Sequence, residues 1–146
     1  MQKMSTGLCN KLLDTNPLKT IFAAGFVDLY SGTVPASADA SIGAAVLQCR
    51  VGAPGPGTGV TFAAAAAAGV LSKNTTETWN GTVSNSATVT FYRLVTPADD
   101  GTLSTTQARI QGTIGTGGSD MNLGDAALIA AAPFVLNYFT EAIVPS

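Results

Sequence analysis

Short runs of β-forming residues, separated by turn residues, make up most of this chain from Ile21 onward. Val, Thr, Phe and Tyr recur in segments such as FVDLY (26–30) and ATVTFYRL (87–94), and Gly, Pro, Asn and Asp stand between the segments. Apolar and polar side chains alternate along ATVTFYRL, which is the two-residue period of a half-buried strand. Seven or eight short strands with turn signals at this spacing predict an all-β fold, a single-domain β-sandwich.

Each predicted strand ends at a turn signal. Asp99-Asp100-Gly101 is typical of a hairpin turn, and Pro133 precedes the terminal strand at a position where a sheet tolerates proline. The six alanines after Phe62 are a short, uncapped run that Gly69 ends, so we expect a flat strand or a tightly packed segment there. The predicted strands are residues 26–30, 44–51, 60–62, 87–94, 107–114, 121–123 and 134–143.

A short helix is predicted at the N-terminus, because leucines recur at helical spacing after a hydroxyl residue that can cap it. Ser5 or Thr6 is the capping residue, and Pro17 stops the helix. About two turns of helix are marginal in water, so this segment must pack against its own domain or against a neighbouring subunit. We therefore divide the chain into an N-terminal arm or short helix, residues 1–16, and a β-sandwich domain, residues 17–146. The leucines are Leu8, Leu12 and Leu13.

The chain carries unusually few charges. Only 11% of its 146 residues are Asp, Glu, Lys or Arg, against about 25% in ordinary soluble domains. Such a surface neither repels its neighbours nor resists docking, which indicates a subunit that lies against other protein. The alternative is a small secreted or extracytoplasmic β protein.

The distribution of charge and hydrophobicity also excludes two kinds of partner. The seven basic residues are scattered from Lys3 to Arg109, whereas a nucleic-acid groove needs them clustered. The apolar part of the uncharged interval between Arg50 and Lys73 is too short to span a bilayer, which takes roughly 20 residues. The N-terminal residues contain no apolar run of signal-peptide length. We expect a protein that is made in the cytoplasm and binds neither nucleic acid nor membrane.

The residue types that carry most enzyme chemistry are missing or isolated. The chain has no histidine, which is the commonest general base. The neighbouring carboxylates fall in turns, where the raised pKa of a general acid is rare. We expect no enzymatic activity, no cofactor and no metal. The carboxylate pairs are Asp99 with Asp100 and Asp120 with Asp125.

Three further features each have two interpretations. Cys9 and Cys49 could form a disulfide or fill the core as two thiols. Asp120, Asn122 and Asp125 could mimic a calcium loop, although Asp and Asn more often cap turns. Trp79 could stack on a sugar, but a single Trp is more often a core or interface anchor.

The glycine-rich segment GTGGSDMNL, residues 115–123, has a phosphate-binding and a structural interpretation. Closely spaced glycine amides can bind a phosphate, but a phosphate loop also needs a preceding strand, a following helix and a Gly-Lys-Ser/Thr ending. This segment lacks the lysine and leads into a β-rich region that begins at Pro133. We expect a tight connection between Ile114 and a strand at residues 121–123.

Two segments resemble a known group of proteins. DLYSGTVPASADA and GTIGTGGSDMNL, with a TW segment and a TFYRL strand between them, are similar to small tailed-phage and prophage proteins with the pattern YSG-x-x-PASADA … G-x-x-G-x-GGSD-x-NL. The resemblance covers most of the chain, and the departures are the cysteines and the alanine run. It implies a jelly-roll-like fold and a capsid decoration or cement protein on the virion surface, made in the host cytoplasm, and it offers no catalytic residues.

The partners implied are the major capsid protein and further copies of this chain, as a dimer or trimer. A neck, tail or baseplate component, or a tail module that binds a receptor or glycan, is the alternative. We expect the contacts in the N-terminal arm and in the loops at residues 31–39 and 52–59. The predicted interface residues are Leu8, Leu12, Leu13, Val34, Pro35, Pro54 and Pro56.

Overall fold

The computed structural model of the chain describes residues 1–14, 16–54 and 57–142. These residues form two short helices and twelve strands, so the all-β prediction is confirmed. The helices are α1 (Thr6–Asp14) and α2 (Leu18–Ile21). The strands are β1 (Lys3–Met4), β2 (Phe26–Ser31), β3 (Val46–Val51), β4 (Val70–Ser72), β5 (Trp79–Thr82), β6 (Ala87–Thr88), β7 (Phe91–Val95), β8 (Arg109–Gly115), β9 (Met121–Asn122), β10 (Ala127–Leu128), β11 (Pro133–Leu136) and β12 (Thr140–Ala142).

One six-stranded sheet organises the fold. Its antiparallel order is β1-β8-β7-β2-β3, and β9 adds to β8 in parallel. The remaining strands form three antiparallel ribbons, which pair β4 with β12, β5 with β11 and β6 with β10. Two predicted strands are each divided between partners: residues 87–94 contribute to β6 and β7, and the segment from Phe134 contributes to β11 and β12.

The inner face of the main sheet carries the hydrophobic core. Cross-strand register places one apolar side chain from each of the five antiparallel strands in a single row. The two-residue side-chain period of a strand turns all of them to the same face. Four of them are fully buried and Met4 is partly exposed. The row consists of Val51, Val27, Leu94, Ile110 and Met4.

Aromatic residues fill the space between this face and the ribbons. Trp79 is fully buried, and its ring meets Phe62 edge-on at a centroid distance of 5.5 Å and Phe139 at 5.7 Å. Its indole N–H donates to Glu77 at 2.8 Å. Trp79 is therefore a core residue, as the commoner interpretation of a single Trp predicted, and it presents no face to a sugar.

The N-terminal segment is part of this domain's own structure. Lys3 and Met4 pair with β8 at the edge of the main sheet. The predicted cap of α1 is confirmed, since the Ser5 hydroxyl accepts the Leu8 amide at 3.1 Å. The same hydroxyl donates to the Gln107 carbonyl and accepts the Arg109 amide, so it also ties the helix to β8.

The alanine run is neither a strand nor a packed segment. Residues 64–68 are exposed and irregular, and the chain reverses through Ala68 and Gly69, both with positive φ. A methyl group offers little apolar surface to bury, so nothing draws these alanines into the core.

The two cysteines are free and differ in environment. Cys49 is buried and fills the core, whereas Cys9 is exposed on α1. The disulfide alternative is wrong, and so is the assignment of Cys9 to the core.

Candidate functional site

The outer face of the main sheet carries a row of polar side chains, one from each of the five antiparallel strands. Cross-strand register aligns them directly beside one another, at the positions adjacent to the apolar row of the inner face. Asp28, Arg93 and Gln111 are all buried. We call this set the polar row: Arg50, Asp28, Arg93, Gln111 and Lys3.

Hydrogen bonds run along the polar row in two separate groups. Arg50 holds both carboxylate oxygens of Asp28, with its Nε at 2.8 Å and its Nη2 at 2.7 Å. Arg93 donates from Nε and Nη2 to the side-chain oxygen of Gln111, at 2.9 and 2.8 Å. Although Asp28 lies opposite Arg93 in the register, its carboxylate is therefore engaged by Arg50, and Arg93 holds a neutral amide.

A loop of residues 32–45, between β2 and β3, covers the polar row, and we call it the covering loop. Its backbone carbonyls accept hydrogen bonds from the row and from Arg109. The bonds run from Gln111 to Pro35 at 2.8 Å, from Lys3 to Ala36 at 2.7 Å, from Arg93 to Ala40 at 2.7 Å, and from Arg109 to Ala38 and Asp39 at 3.3 and 3.4 Å.

A buried ion pair closes one end of this network. The Arg109 guanidinium binds the Asp99 carboxylate with Nε and Nη2, and the two side chains are 0% and 2% exposed. Asp99 also accepts the Gly101 amide at 2.7 Å. Residues 99–101 form a local turn with Gly101 at positive φ, but they lie within the longer loop of residues 96–108 that joins β7 to β8, so the predicted hairpin turn is wrong. Asp39 of the covering loop accepts the amide and hydroxyl of Thr6, which fixes the loop to the start of α1.

Arg93 has a buried donor that no other residue of this network satisfies. Its side chain is fully buried, and among the described residues its Nη1 has no hydrogen-bond partner. Burial, with a further contribution from the neighbouring Arg109 charge, lowers the pKa of Arg93 below its ordinary value. A cavity of about 260 Å³ lies beside it, bounded by Asp28 and Tyr30 on β2 and by Gly101.

A second cluster lies at the opposite, inner side of the sheet around Glu141 on β12. This carboxylate is 5% exposed, and both of its oxygens accept from the Gln2 amide, at 2.8 and 2.7 Å. The same amide donates to the Tyr92 hydroxyl at 3.0 Å. Burial raises the pKa of Glu141 to about 7; the Gln2 bond opposes this shift and the Asp120 charge adds to it.

Sequence patterns do not identify these residues as a group, although single positions are informative. Asp28 lies between Val27 and Leu29, and Arg93 lies between Tyr92 and Leu94. A charged residue inside an apolar strand must either face solvent or find a partner. The partners come from distant parts of the chain, so only the register reveals them.

The predicted interface residues lie in different environments. Leu8 is fully buried in this chain's own core, so it is a core residue and offers no surface to a partner. Leu12 packs partly against the same core, whereas Leu13 is 84% exposed. In the loops, Val34 and Pro35 are half-buried and Pro54 is exposed, and Pro56 lies outside the described residues.

Other large apolar side chains are more exposed than most of those predicted. Leu103, Ile129 and Tyr138 are 74%, 69% and 77% exposed. They lie on separate segments: the β7–β8 loop, the β10–β11 connection and the residues before β12. Together with Leu13 they are the most exposed large apolar side chains after Met1 in the part of the chain that the structure describes.

The glycine-rich segment is a turn, as predicted. It connects β8 to β9, which pair at Ile114 with Met121, and Gly118 has a φ of +71°. Asp120 accepts the amide and hydroxyl of Thr113, and Asp125 accepts the Ala127 amide. Burial raises the pKa of Asp120, but the two bonds from Thr113 and the charge of the N-terminal ammonium outweigh burial. The pKa of Asp120 is therefore below its ordinary value. The capping interpretation of these residues is confirmed.

The described residues 1–14, 16–54 and 57–142 contain no group of three or more Cys, Asp or Glu side chains placed to hold a metal ion. None of their helices has the length and apolar character needed to cross a membrane.

Neither a protein-family model, a curated protein nor a solved structure matches this chain.

Proposed function

We propose that this chain is a structural protein of a tailed-phage virion that binds the outer surface of the assembled capsid and stabilises it. The resemblance of YSGTVPASADA and GTGGSDMNL to small phage proteins suggests the virion. The observation that carries the contact role is the exposure of large apolar side chains, Leu13 and Tyr138 among them, on a chain with only 11% charged residues. Apolar side chains on a weakly charged surface favour contact with other protein.

The roles of the two resembling segments support a structural assignment. The first segment forms the covering loop, whose carbonyls are held by arginines and a glutamine of the sheet. The second forms the turn between β8 and β9. Both segments therefore serve to shape the domain, and we propose that the protein acts through contact area, without catalysis. We also propose that the sheet and its ribbons form a sandwich of jelly-roll type.

The proposed mechanism is additive. Each copy bridges neighbouring capsid subunits through a modest interface, and symmetry repeats that interface over the shell. A dimer or trimer of this chain would place the same contacts on two or three capsid subunits at once, which raises the effective affinity. The partners are the major capsid protein and further copies of this chain, and the place of action is the capsid surface after synthesis in the host cytoplasm.

The direct test compares particles with and without the protein. Capsids that lack it are expected to release their genome at a lower temperature or under milder osmotic shock, and added purified protein should restore them. Protein carrying Leu13→Ser and Tyr138→Ser is expected to restore them less well, whereas Thr76→Ser, an exposed and conservative change, should restore them fully. Particles that resist heat equally well without the protein would contradict the capsid role.

Two alternatives have their own discriminating measurements. A neck, tail or baseplate component would be present in a handful or a few dozen copies per virion, whereas a capsid protein would be present in hundreds, which quantitative mass spectrometry separates. A receptor- or glycan-binding tail module would give specific signals on a glycan array. The complete burial of Trp79 does not favour the glycan alternative.

A further inference from the structure

The cavity beside Arg93 lies between the main sheet and the covering loop, and both polar and apolar side chains line it. Its volume is about 260 Å³, which is room for a small organic group. Ile42 and Leu47 supply apolar surface, and Arg50 reaches it with a side chain that is 35% exposed. The cavity is therefore lined by one partly exposed guanidinium, that of Arg50, and by one fully buried guanidinium, that of Arg93.

The buried hydrogen-bonding capacity that remains free in this cavity is that of a donor. Asp28 already accepts two bonds from Arg50 and one from the Tyr30 hydroxyl. Asp99 accepts two bonds from Arg109 and one from Gly101. Arg93 Nη1, by contrast, has no partner among the described residues, and an unsatisfied buried group of this kind is costly.

The covalent geometry of Arg93 directs this donor toward the cavity. The Nε and Nη2 edge of its planar guanidinium faces Gln111 on β8. Nη1 therefore lies on the other side of the group, toward β2. The cavity-lining residues Asp28 and Tyr30 belong to β2.

Both buried carboxylates beside the cavity are paired with an arginine other than Arg93. The partly exposed Arg50 holds Asp28, and the buried Arg109 holds Asp99. Arg93 therefore has no carboxylate partner, and its buried Nη1 is free among the described residues. Asp100 also lines the cavity, but it is exposed and solvent screens it.

We propose that this cavity binds one carboxylate group, which pairs with Arg93 Nη1 and has a short apolar portion against Ile42 and Leu47. A carboxylate would give Arg93 the kind of partner that Arg50 and Arg109 already have, and guanidinium–carboxylate bonds are among the strongest in proteins. A phosphate dianion would place two negative charges beside the Asp28 and Asp99 carboxylates. The inference is independent of the virion role, since it concerns only the interior of this domain and the cavity opening.

The test is a titration of the full-length protein with sodium acetate, sodium propionate and sodium phosphate, against sodium chloride at equal ionic strength. Nuclear magnetic resonance follows the backbone amides of Tyr30, Ile42 and Gly101 and the Arg93 Nε–H signal. We expect saturable shifts at these groups with acetate and propionate only. Arg93→Gln should weaken binding about tenfold or more, whereas Lys11→Gln, which removes a charge outside the cavity, should leave binding unchanged.

A second variant keeps the proposal testable if Arg93→Gln does not fold. Leu47→Trp fills the cavity but leaves the polar row intact, and it should also abolish the acetate shifts. Two peptides test whether the ligand is a free acid or a carboxylate side chain of a protein. If a side chain can enter the cavity, acetyl-Ala-Glu-Ala-amide should produce the same shifts as acetate. The corresponding peptide with Gln in place of Glu should produce no shifts. Binding of acetate alone, with no effect of either peptide, would identify a free acid as the ligand.

Three results would overturn the proposal. The absence of any saturable carboxylate effect would mean that the cavity holds water only. Phosphate binding as tight as acetate binding would contradict the single-charge argument. Acetate binding that is unchanged in both folded variants would place the contact elsewhere on the surface.

Discussion

Arg109 and Asp99 form an ion pair that the protein encloses almost completely, with side chains 0% and 2% exposed. Asp99→Asn would leave the Arg109 charge buried without a counter-charge, beside a second buried arginine, Arg93. Breaking such a pair costs about 3–5 kcal/mol of unfolding free energy, which urea denaturation would measure. Asp100→Asn is the matched control, because this neighbouring carboxylate is exposed and its loss should have a small effect. Equal effects of the two substitutions would contradict the structural role of the pair.

The titration of Glu141 should make the stability of the protein depend on pH. Its pKa in the folded protein is raised by burial from 4.5 to about 7, so the folded state keeps a proton that the unfolded state has lost. The stability that Glu141 contributes should therefore be fully present below pH 4.5 and should be lost as the pH rises through 7, by about 3 kcal/mol. The groups around it are Gln2, Tyr92 and Asp120, with Lys19 on the same cleft.

Glu141→Gln should remove this decline, because glutamine resembles the protonated acid and does not titrate. Asp14→Asn removes an exposed carboxylate from the end of α1 and should keep the wild-type slope. Thermal or urea unfolding from pH 4 to pH 8 measures both. An unchanged slope in Glu141→Gln would show that the decline has another source.

Parts of this fold follow from local sequence patterns, and the rest depends on which segments meet. The strands β2, β3 and β8, the Ser5 cap and the turn after Ile114 were predictable, because alternation, capping hydroxyls and glycines act over a few residues. The division of residues 87–94 between β6 and β7 was not predictable, because the two-residue alternation continues across the point where the chain passes from one sheet to another. Its outcome depends on distant partners, such as the pairing of β6 with β10.

The polar row illustrates the same limit for the candidate site. Its five residues are spread from Lys3 to Gln111, and the covering loop that meets them lies between β2 and β3. The composition shows that the chain has few charged residues. It could not reveal that all three arginines, Arg50, Arg93 and Arg109, lie on the outer face of the main sheet and are bonded there.

A close packing contact explains one glycine of β8. Tyr92 lies directly opposite Gly112 in the sheet, and a Cβ at Gly112 would lie 2.5 Å from the Tyr92 ring. Gly112→Ala should displace the ring and its hydrogen bond from Gln2, at about 1–3 kcal/mol of unfolding free energy. Gly117→Ala is the control, since a Cβ there meets nothing within 4 Å. Comparable destabilisation by both would mean that the contact with Tyr92 is unimportant.

Substitutions of two leucines of α1 can measure the contribution of this helix to folding separately from its contribution to capsid binding. Leu8 is fully buried and Leu13 is 84% exposed on the same helix. Leu8→Ala should lower the unfolding free energy by about 2–5 kcal/mol, and deletion of residues 1–16 should lower it further, because the deletion also removes β1 and the Ser5 cap.

Leu13→Ala should leave stability nearly unchanged but weaken binding to capsids in a co-sedimentation assay. If the truncated protein were as stable as the full chain, the N-terminal segment would be a detachable arm after all. If Leu13→Ala bound capsids as well as the wild type, this face of α1 would not be part of the contact.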